Sequence, residues 1–225
     1  MKPITVCLTS CNRFDLLKLT LDSFFSLNAH NFLIEKFMIT EDSGNLEMKQ
    51  KILNHYGDKV ELFFNEKNIG LLASLDNMYA QVQTPYIFHC EDDWFFQGNP
   101  HFLKESLDIL EDKNDIHQVW LRPIHTIFTW IEFDLYETFS GLEYAMIAKP
   151  HLGDWCGFSF NPGLRRLSDY KQMFPNGYSE FIFPGKSMVY SEHNCNKIAS
   201  AQGYRAAILL QSACDHIGQG HSTYT

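Results

Sequence analysis

The sequence predicts a single α/β domain, a mixed, mostly parallel sheet flanked by helices. Three observations carry this expectation. Short β-type apolar runs alternate with stretches of helical periodicity through the first half of the chain. Several of those runs end abruptly in polar or acidic residues, as strands do at the ligand-binding edge of an open α/β sheet. The 225 residues, 45% hydrophobic and 20% charged, suffice for one full core.

The elements follow in order. Ile4 to Thr9 is a β-type run, and Arg13 to Leu27 follows with Phe14, Leu17, Leu21 and Phe24 at helical spacing. Lys36 to Thr40 is a second strand, closed by Glu41-Asp42-Ser43-Gly44, and Leu46 to His55 is a polar helix. Val60 to Phe64 is a third strand, Leu71 to Val82 a helix, and Tyr86 to Cys90 a fourth strand. Pro100 to Leu110 reads as a helix with proline in its first turn, and Ile116 to Leu121 as a strand. Residues 124 to 150 are rich in aromatics and carry no assignable period. Trp155 to Phe160 is expected as a strand, Pro162 to Met173 as a helix, and Lys186 to Gln202 as a helix stopped by Gly203. Tyr204 to Leu210 is the last expected strand.

The net charge of −9 argues against nucleic acid as the main partner, because a phosphate backbone demands basic patches. No apolar run approaches the roughly 18 residues that cross a bilayer. The N-terminus enters strand-like sequence without a signal-peptide pattern. The six cysteines are scattered, with no C-x-x-C pair, and read as reduced core thiols. A cytoplasmic protein is therefore expected, with peripheral association at the inner face of the membrane open to it.

The most informative stretch is Tyr86-Ile87-Phe88-His89-Cys90-Glu91-Asp92-Asp93-Trp94. Three like charges at a strand end repel one another and need a compensating cation. Hard carboxylate oxygens suit Mg²⁺ or Mn²⁺, and an ion held by one or two carboxylates keeps positions open for phosphate oxygens. The competing reading is a solvated acidic loop. Strand one ends in Thr9-Ser10-Cys11-Asn12-Arg13, offering hydroxyls and, from the following helix, backbone N–H groups for an anion. Ser10 or Asn12 serves equally as a helix cap. Asp42 offers acceptors to a base or ribose, or else shapes the turn before Ser43-Gly44.

These residues carry a resemblance. The chain resembles a nucleotide-sugar glycosyltransferase of the GT-A (Rossmann-like) fold, most like the family 2 group. Thr9-Ser10-Cys11-Asn12-Arg13 resembles the family's opening strand and Asn-Arg turn, and Glu41-Asp42-Ser43-Gly44 its nucleoside-contacting turn. Asn68-Ile69-Gly70-Leu71 resembles the Asn-x-Gly segment, and Glu91-Asp92-Asp93 the Asp-x-Asp metal motif. The match implies Asp93 as the direct metal ligand and Asp92 near the ribose or metal. It implies donor contacts from Thr9, Ser10, Asn12, Arg13, Asp42, Asn68 and Gly70. Arg122 is a candidate charge partner for the donor, as are Arg165 and Arg166.

In the family, an acidic residue opens a helix ahead of a Gly-Tyr-Arg-like strand entry. Here Glu192 lies eleven residues before Gly203-Tyr204-Arg205, which implies that it is the catalytic base. It shares a helix face with Met188 and Cys195, and a carboxylate on a partly apolar face suits a general base. A glutamate early in a helix also complements the helix dipole. By resemblance, His216 is a further metal or diphosphate ligand, and Ile217-Gly218-Gln219-Gly220-His221 folds over a diphosphate. Asp154, Trp155 and Phe158 fall where the family builds its acceptor site. Residues 124 to 153 match nothing in the family.

The resemblance implies a metal-dependent inverting transfer of a hexosyl group from a nucleoside diphosphate sugar, with UDP first among the carriers, GDP and dTDP open beside it, and Mn²⁺ or Mg²⁺ as the metal. The acceptor is a carbohydrate or glycolipid, and the product a polysaccharide or lipid-linked glycan. Residues 1–123 form the nucleotide-sugar-binding half, and 124–225 the acceptor-binding and catalytic half. A sugar-nucleotide pyrophosphorylase would share metal and nucleotide, but the turn after strand one lacks the Gly-rich, basic loop such enzymes carry. A non-catalytic carbohydrate-binding module would use the aromatics alone.

Overall fold

The computed structural model describes residues 2–29, 31–147 and 155–218. The first half runs β1 (Ile4–Ser10), α1 (Phe14–Leu27), β2 (Ile34–Glu41), α2 (Leu46–Tyr56), β3 (Glu61–Phe64), α3 (Leu71–Tyr79), β4 (Tyr86–Glu91) and β5 (Trp94–Phe96). Then come α4 (Phe102–Asp112), β6 (Ile116–Trp120), β7 (Ile131–Glu137), β8 (Glu143–Ile147) and β9 (Gly163–Arg166). The chain closes with α5 (Leu167–Met173), α6 (Met188–Ala201), β10 (Arg205–Leu209) and β11 (Cys214–His216).

Nine strands form one sheet in the order β3-β2-β1-β4-β9-β6-β10-β8-β7. β1 to β4 run parallel. β9 is inserted antiparallel between β4 and β6, and β10 runs parallel to β6. The β7–β8 hairpin closes the edge in antiparallel sense. This is the mixed, mostly parallel single domain that the alternating pattern predicts. β1 is buried along its whole length because helices cover both faces of the sheet, and its near-continuous apolar run reflects that. Val6 and Leu8 face a core completed by Leu17, Leu21 and Phe24 of α1 and by Leu103 and Leu110 of α4. Cys7 faces the opposite core with Leu72 and Leu75 of α3, Tyr170 of α5 and Cys195 of α6. Among the described residues, no helix is long and apolar enough to cross a membrane.

Three expectations are corrected here. Trp155 to Phe160 is not a strand. Its backbone meets side chains instead of a ladder: the Asn196 amide oxygen accepts from the Cys156 N–H at 2.9 Å, and the Gly157 carbonyl accepts from the Trp120 indole at 2.9 Å. The sheet position beside β4 belongs to β9, so Gly163–Arg166 is a strand and the expected 162–173 helix starts only at Leu167. The unassigned aromatic stretch contains two single 3₁₀ turns, Ile124–Thr126 and Phe128–Trp130, and then the β7–β8 hairpin. A register shift between Ile131 and Leu135 breaks the alternation that would have revealed β7.

The second, two-stranded sheet matters most for function. β11 pairs antiparallel with β5, setting His216 opposite Trp94 and Asp215 opposite Phe95. The end of the described chain is thereby laid against the acidic triplet.

One carboxylate ties the two halves of the chain together. Asp76 of α3 accepts from the Tyr170 hydroxyl at 2.7 Å, from the N–H groups of Tyr178 and Ser179 at 2.7 Å each, and from the Ser179 hydroxyl at 2.5 Å. It fixes the turn that leads into α6. Asp76→Ala strands these donors, and urea unfolding is expected to show a loss of about 3 kcal/mol. A midpoint unchanged from wild type would remove Asp76 from this role.

Candidate active site

The parallel register places the carboxyl ends of three strands side by side. Ser10 of β1 lies opposite Glu41 of β2, and Thr9 opposite Glu91 of β4. A cavity of about 180 Å³ opens at this edge. Thr9, Ser10, Arg13, Asp42, Asn68 and Gly70 all line it, with Cys11 and Glu91 from the same two strand-end motifs, and with Ser74 and Met188, whose place in it the sequence reading did not foresee.

The turns above the strands are braced by buried carboxylates. Glu41 is fully buried, and its Oε1 accepts the N–H groups of Asn12 at 3.0 Å and Ser43 at 3.1 Å. Asn12 adopts a positive φ of 57°, which asparagine tolerates better than most residues. Its amide oxygen accepts from Asn45 at 2.9 Å, and it lies outside the cavity lining, so its visible task is to shape the turn. Asp42 accepts from the Asn65 amide at 2.8 Å and from the N–H groups of Ile69 at 2.9 Å and Gly70 at 2.8 Å. Its carboxylate thus holds the 65–70 loop over the cavity. Gly70 starts α3 with φ +88°, a conformation that disfavours any residue with a Cβ.

Arg13 points into the acidic triplet. Its guanidinium grips both oxygens of Asp92, with Nε 3.2 Å from Oδ2 and Nη2 against Oδ1, and Nη1 lies 3.2 Å from Asp93 Oδ2. Asp92 has no exposed surface, and burial pushes its pKa up to about 6 against the pull of Arg13 and the Ser10 hydroxyl. Burial also acts to raise Asp93, but His216 and Arg13 more than offset it and leave its carboxyl below the ordinary range. Glu91 is held well above the usual glutamate value by burial, then by the neighbouring charges of Asp93, Asp92 and Glu192.

Asp93 and His216 are brought together across more than half the chain. His216 Nε2 is 3.6 Å from Asp93 Oδ2, and its ring lies 5.0 Å from that of Trp94. Asp93 Oδ1 is buried without a hydrogen-bond partner among the described residues. Gly218 passes so close that a Cβ there would meet Asp93 Oδ2 at 2.3 Å. Among the described residues no cluster of three or more His, Cys, Asp or Glu is set to hold a metal alone. The protein therefore offers two donors and one unpartnered oxygen, which fits a cation whose shell is completed by ligand oxygens.

Glu192, on the second turn of α6, lines two further cavities of about 280 Å³ each. One is shared with Leu71, Glu91 and Met188 and abuts the strand-end cavity through those three residues. The other is a cleft walled by Trp120, Trp130 and Trp155, with Arg122, Ser159 and Asn161. Burial raises the Glu192 pKa, opposed by the Phe160 N–H, the Ser159 hydroxyl and the charge of Arg165. The buried Arg165 guanidinium in turn binds the carbonyls of Ser159 at 2.5 Å and Asn161 at 3.4 Å.

The remaining expected residues divide. Trp155 lines the tryptophan cleft. Phe158 does not: it is 1% exposed and stacks on His117 in the core, because the 155–160 segment turns that ring inward. Arg122 belongs to the tryptophan cleft and not to the strand-end cavity, since β6 lies two strands from β4. Arg166 is turned away, bound to Asp169 at 2.6 Å and to the carbonyls of Ile116 at 2.9 Å and Lys113 at 2.7 Å. Asp154 and residues 219–221 lie outside the described residues. Trp120 and Trp130 were missed as site residues. Three of the four tryptophans converge here, so tryptophan itself was the available signal.

No family model matches the chain, and no curated protein matches it. Solved structures do. The mannosyltransferase PcManGT from Pyrobaculum calidifontis, in complex with GDP-Man and Mn²⁺, superposes with a TM-score of 0.64 at 12% identity, over 98% of this chain and 58% of that one. TarS 1-349 of S. aureus superposes with a TM-score of 0.62 at 12% identity, over 94% of this chain and 59% of that one. The chain thus spans less than two thirds of either neighbour's length. At this identity the likeness is one of architecture: this single-domain chain has the α/β fold, a mixed sheet flanked by helices, of these two neighbours.

Proposed function

We propose that this chain is a metal-dependent, inverting glycosyltransferase that moves a hexosyl group from a nucleoside diphosphate sugar to a hydroxyl of a glycan or lipid-linked glycan. One observation carries the reading. Glu192, whose pKa is raised by burial, stands between a polar cavity at the strand ends and an aromatic cleft, and lines the way into both. In this reading the strand-end cavity takes the nucleotide and the cleft takes the acceptor. Most of the first cavity comes from residues 1–123, whereas Trp130, Trp155 and Glu192 come from 124–225. That supports the division into a donor half and an acceptor and catalytic half.

Asp93 and His216 would hold Mn²⁺ or Mg²⁺ with the donor's phosphate oxygens, and the bound cation would neutralise the departing diphosphate. The chain's own residues do the rest. Thr9, Ser10 and Asn68 line the nucleotide cavity, and Asp42 holds its roof in place. Arg13 sets the carboxylates of Asp92 and Asp93. Glu192 takes the proton from the acceptor hydroxyl as its oxygen bonds to the anomeric carbon. The bond from that carbon to the phosphate oxygen breaks, and its electron pair leaves with the diphosphate. One displacement inverts the anomeric configuration. UDP is the proposed carrier.

A thermal-shift panel of UDP, GDP, CMP and dTDP, with and without Mn²⁺, tests this reading. A ligand at 100 times its Kd stabilises the native state by about 2.7 kcal/mol. A metal-dependent rise in melting temperature with one nucleoside diphosphate is expected. If no nucleotide raises it, the transferase reading fails and a carbohydrate-binding module takes its place.

A further inference from the structure

The tryptophan cleft carries information about its ligand that the fold does not. Its apolar walls are indoles packed against one another. The Trp120 indole is anchored to the Gly157 carbonyl, and Trp155 meets Trp120 edge-on at 6.0 Å and Trp130 at 5.5 Å. Trp130 comes from the 3₁₀ turn ahead of the β7–β8 hairpin, part of the stretch that resembles nothing in the family. Indole faces and edges of this kind suit the apolar face of a sugar ring.

A cation stands in the same cleft. Arg122 donates from Nε to the Thr126 hydroxyl at 3.0 Å, and its guanidinium carbon lies 5.8 Å from the centre of the Trp94 ring. Arg13, Arg166 and Arg205 each face a carboxylate. Among the described residues no carboxylate forms an ion pair with Arg122, although Glu192 lines the same cleft. Burial lowers the Arg122 pKa. A guanidinium stays protonated regardless and presents a planar fork matched to carboxylate or phosphate. A partly desolvated cation whose one hydrogen-bond partner among the described residues is a neutral hydroxyl leaves much of that fork unused.

We propose that the sugar bound in this cleft is anionic, a pyranose bearing a carboxylate or a phosphate, stacked on Trp130 and Trp155 and read through its charge by Arg122. That this sugar is the acceptor rests on the reading of Glu192 as a base. Its anionic character rests on the cleft alone. Asn161 and Ser159 supply neutral hydrogen-bonding groups along the same wall.

Tryptophan fluorescence on the full chain tests this without any turnover. The probes are methyl glucuronide, its uncharged methyl ester, glucose 6-phosphate and methyl glucoside. At least one anionic sugar is expected to bind about tenfold tighter than the uncharged pair, the span of a single charged hydrogen bond. Whether glucuronide or glucose 6-phosphate binds separates carboxylate from phosphate. The preference is expected to vanish in Arg122→Gln and to survive in part in Arg122→Lys, which keeps the charge without the fork. The acid-against-ester comparison needs no variant and stands even if Arg122→Gln unfolds. Equal binding of acid and ester, no binding by any of the sugars, a preference that persists in Arg122→Gln, or competitive displacement of the anionic sugar by UDP would each overturn the proposal. An anionic preference in a protein that binds no nucleotide would uphold the cleft and sink the transferase reading. Nucleotide binding without that preference would do the reverse.

Discussion

Glu192→Gln is expected to lower the rate of sugar transfer about a thousandfold, within the span that general-base catalysis contributes. Donor binding should be unchanged, because Glu192 is not among the residues that line the strand-end cavity. The loss therefore belongs to kcat and not to the donor KM. The pH profile gives a second readout. A base works as its carboxylate, and burial raises the Glu192 pKa. Activity should thus fall as pH drops through a limb set above the ordinary glutamate value of about 4.3. In Glu192→Gln the residual rate should lose that limb. A variant that transfers sugar at the wild-type rate, or keeps the limb, would remove Glu192 from the chemistry. Ser159→Ala is a useful companion, since that hydroxyl holds the Glu192 pKa down, and its loss should move the limb to higher pH.

Asp93→Asn is expected to abolish the Mn²⁺-dependent part of nucleotide affinity. Losing only an outer-shell partner of a metal ligand costs about 10- to 100-fold, and a direct ligand should cost at least that much. The variant keeps the shape of the side chain but surrenders charge at the oxygens that face His216 and Arg13. The measurement is the melting temperature in nucleotide with rising Mn²⁺. Wild type should respond to the metal and the variant should not. Arg13 still has Asp92 to grip, so the turn should survive and the nucleotide-only signal should be nearly unchanged. An undiminished Mn²⁺ response in the variant would place the metal elsewhere, and no response in wild type would show that nucleotide binding does not use it.

Different elements were legible for different reasons. β1, β2, β4, β6 and β10 show in the sequence because strands buried on both faces are short, mostly apolar runs. α1 and α4 show because their buried residues recur every three or four positions. β9, β5 and β11 have four, three and three residues, too few for a period to register. Their strand character comes from the partners waiting beside them.

The same division runs through the site. The sequence by itself determined that carboxylates and hydroxyls gather at one edge of a parallel sheet, because strand direction in a βα repeat leaves no other place for Thr9, Asp42 and Asp93 to go. Glu192 was marked by the family resemblance, eleven residues before Gly203-Tyr204-Arg205, and not by its helix alone. Tertiary structure alone decided which of these groups meet. The β11–β5 pairing carries His216 to Asp93 across more than half the chain. The packing of residues 155–160 sends Phe158 inward and leaves Trp155 facing the cleft. A hairpin with a broken register delivers Trp130 beside it. Such meetings depend on long-range contacts, and local sequence carries period and propensity but no record of what lies on the other side of a fold.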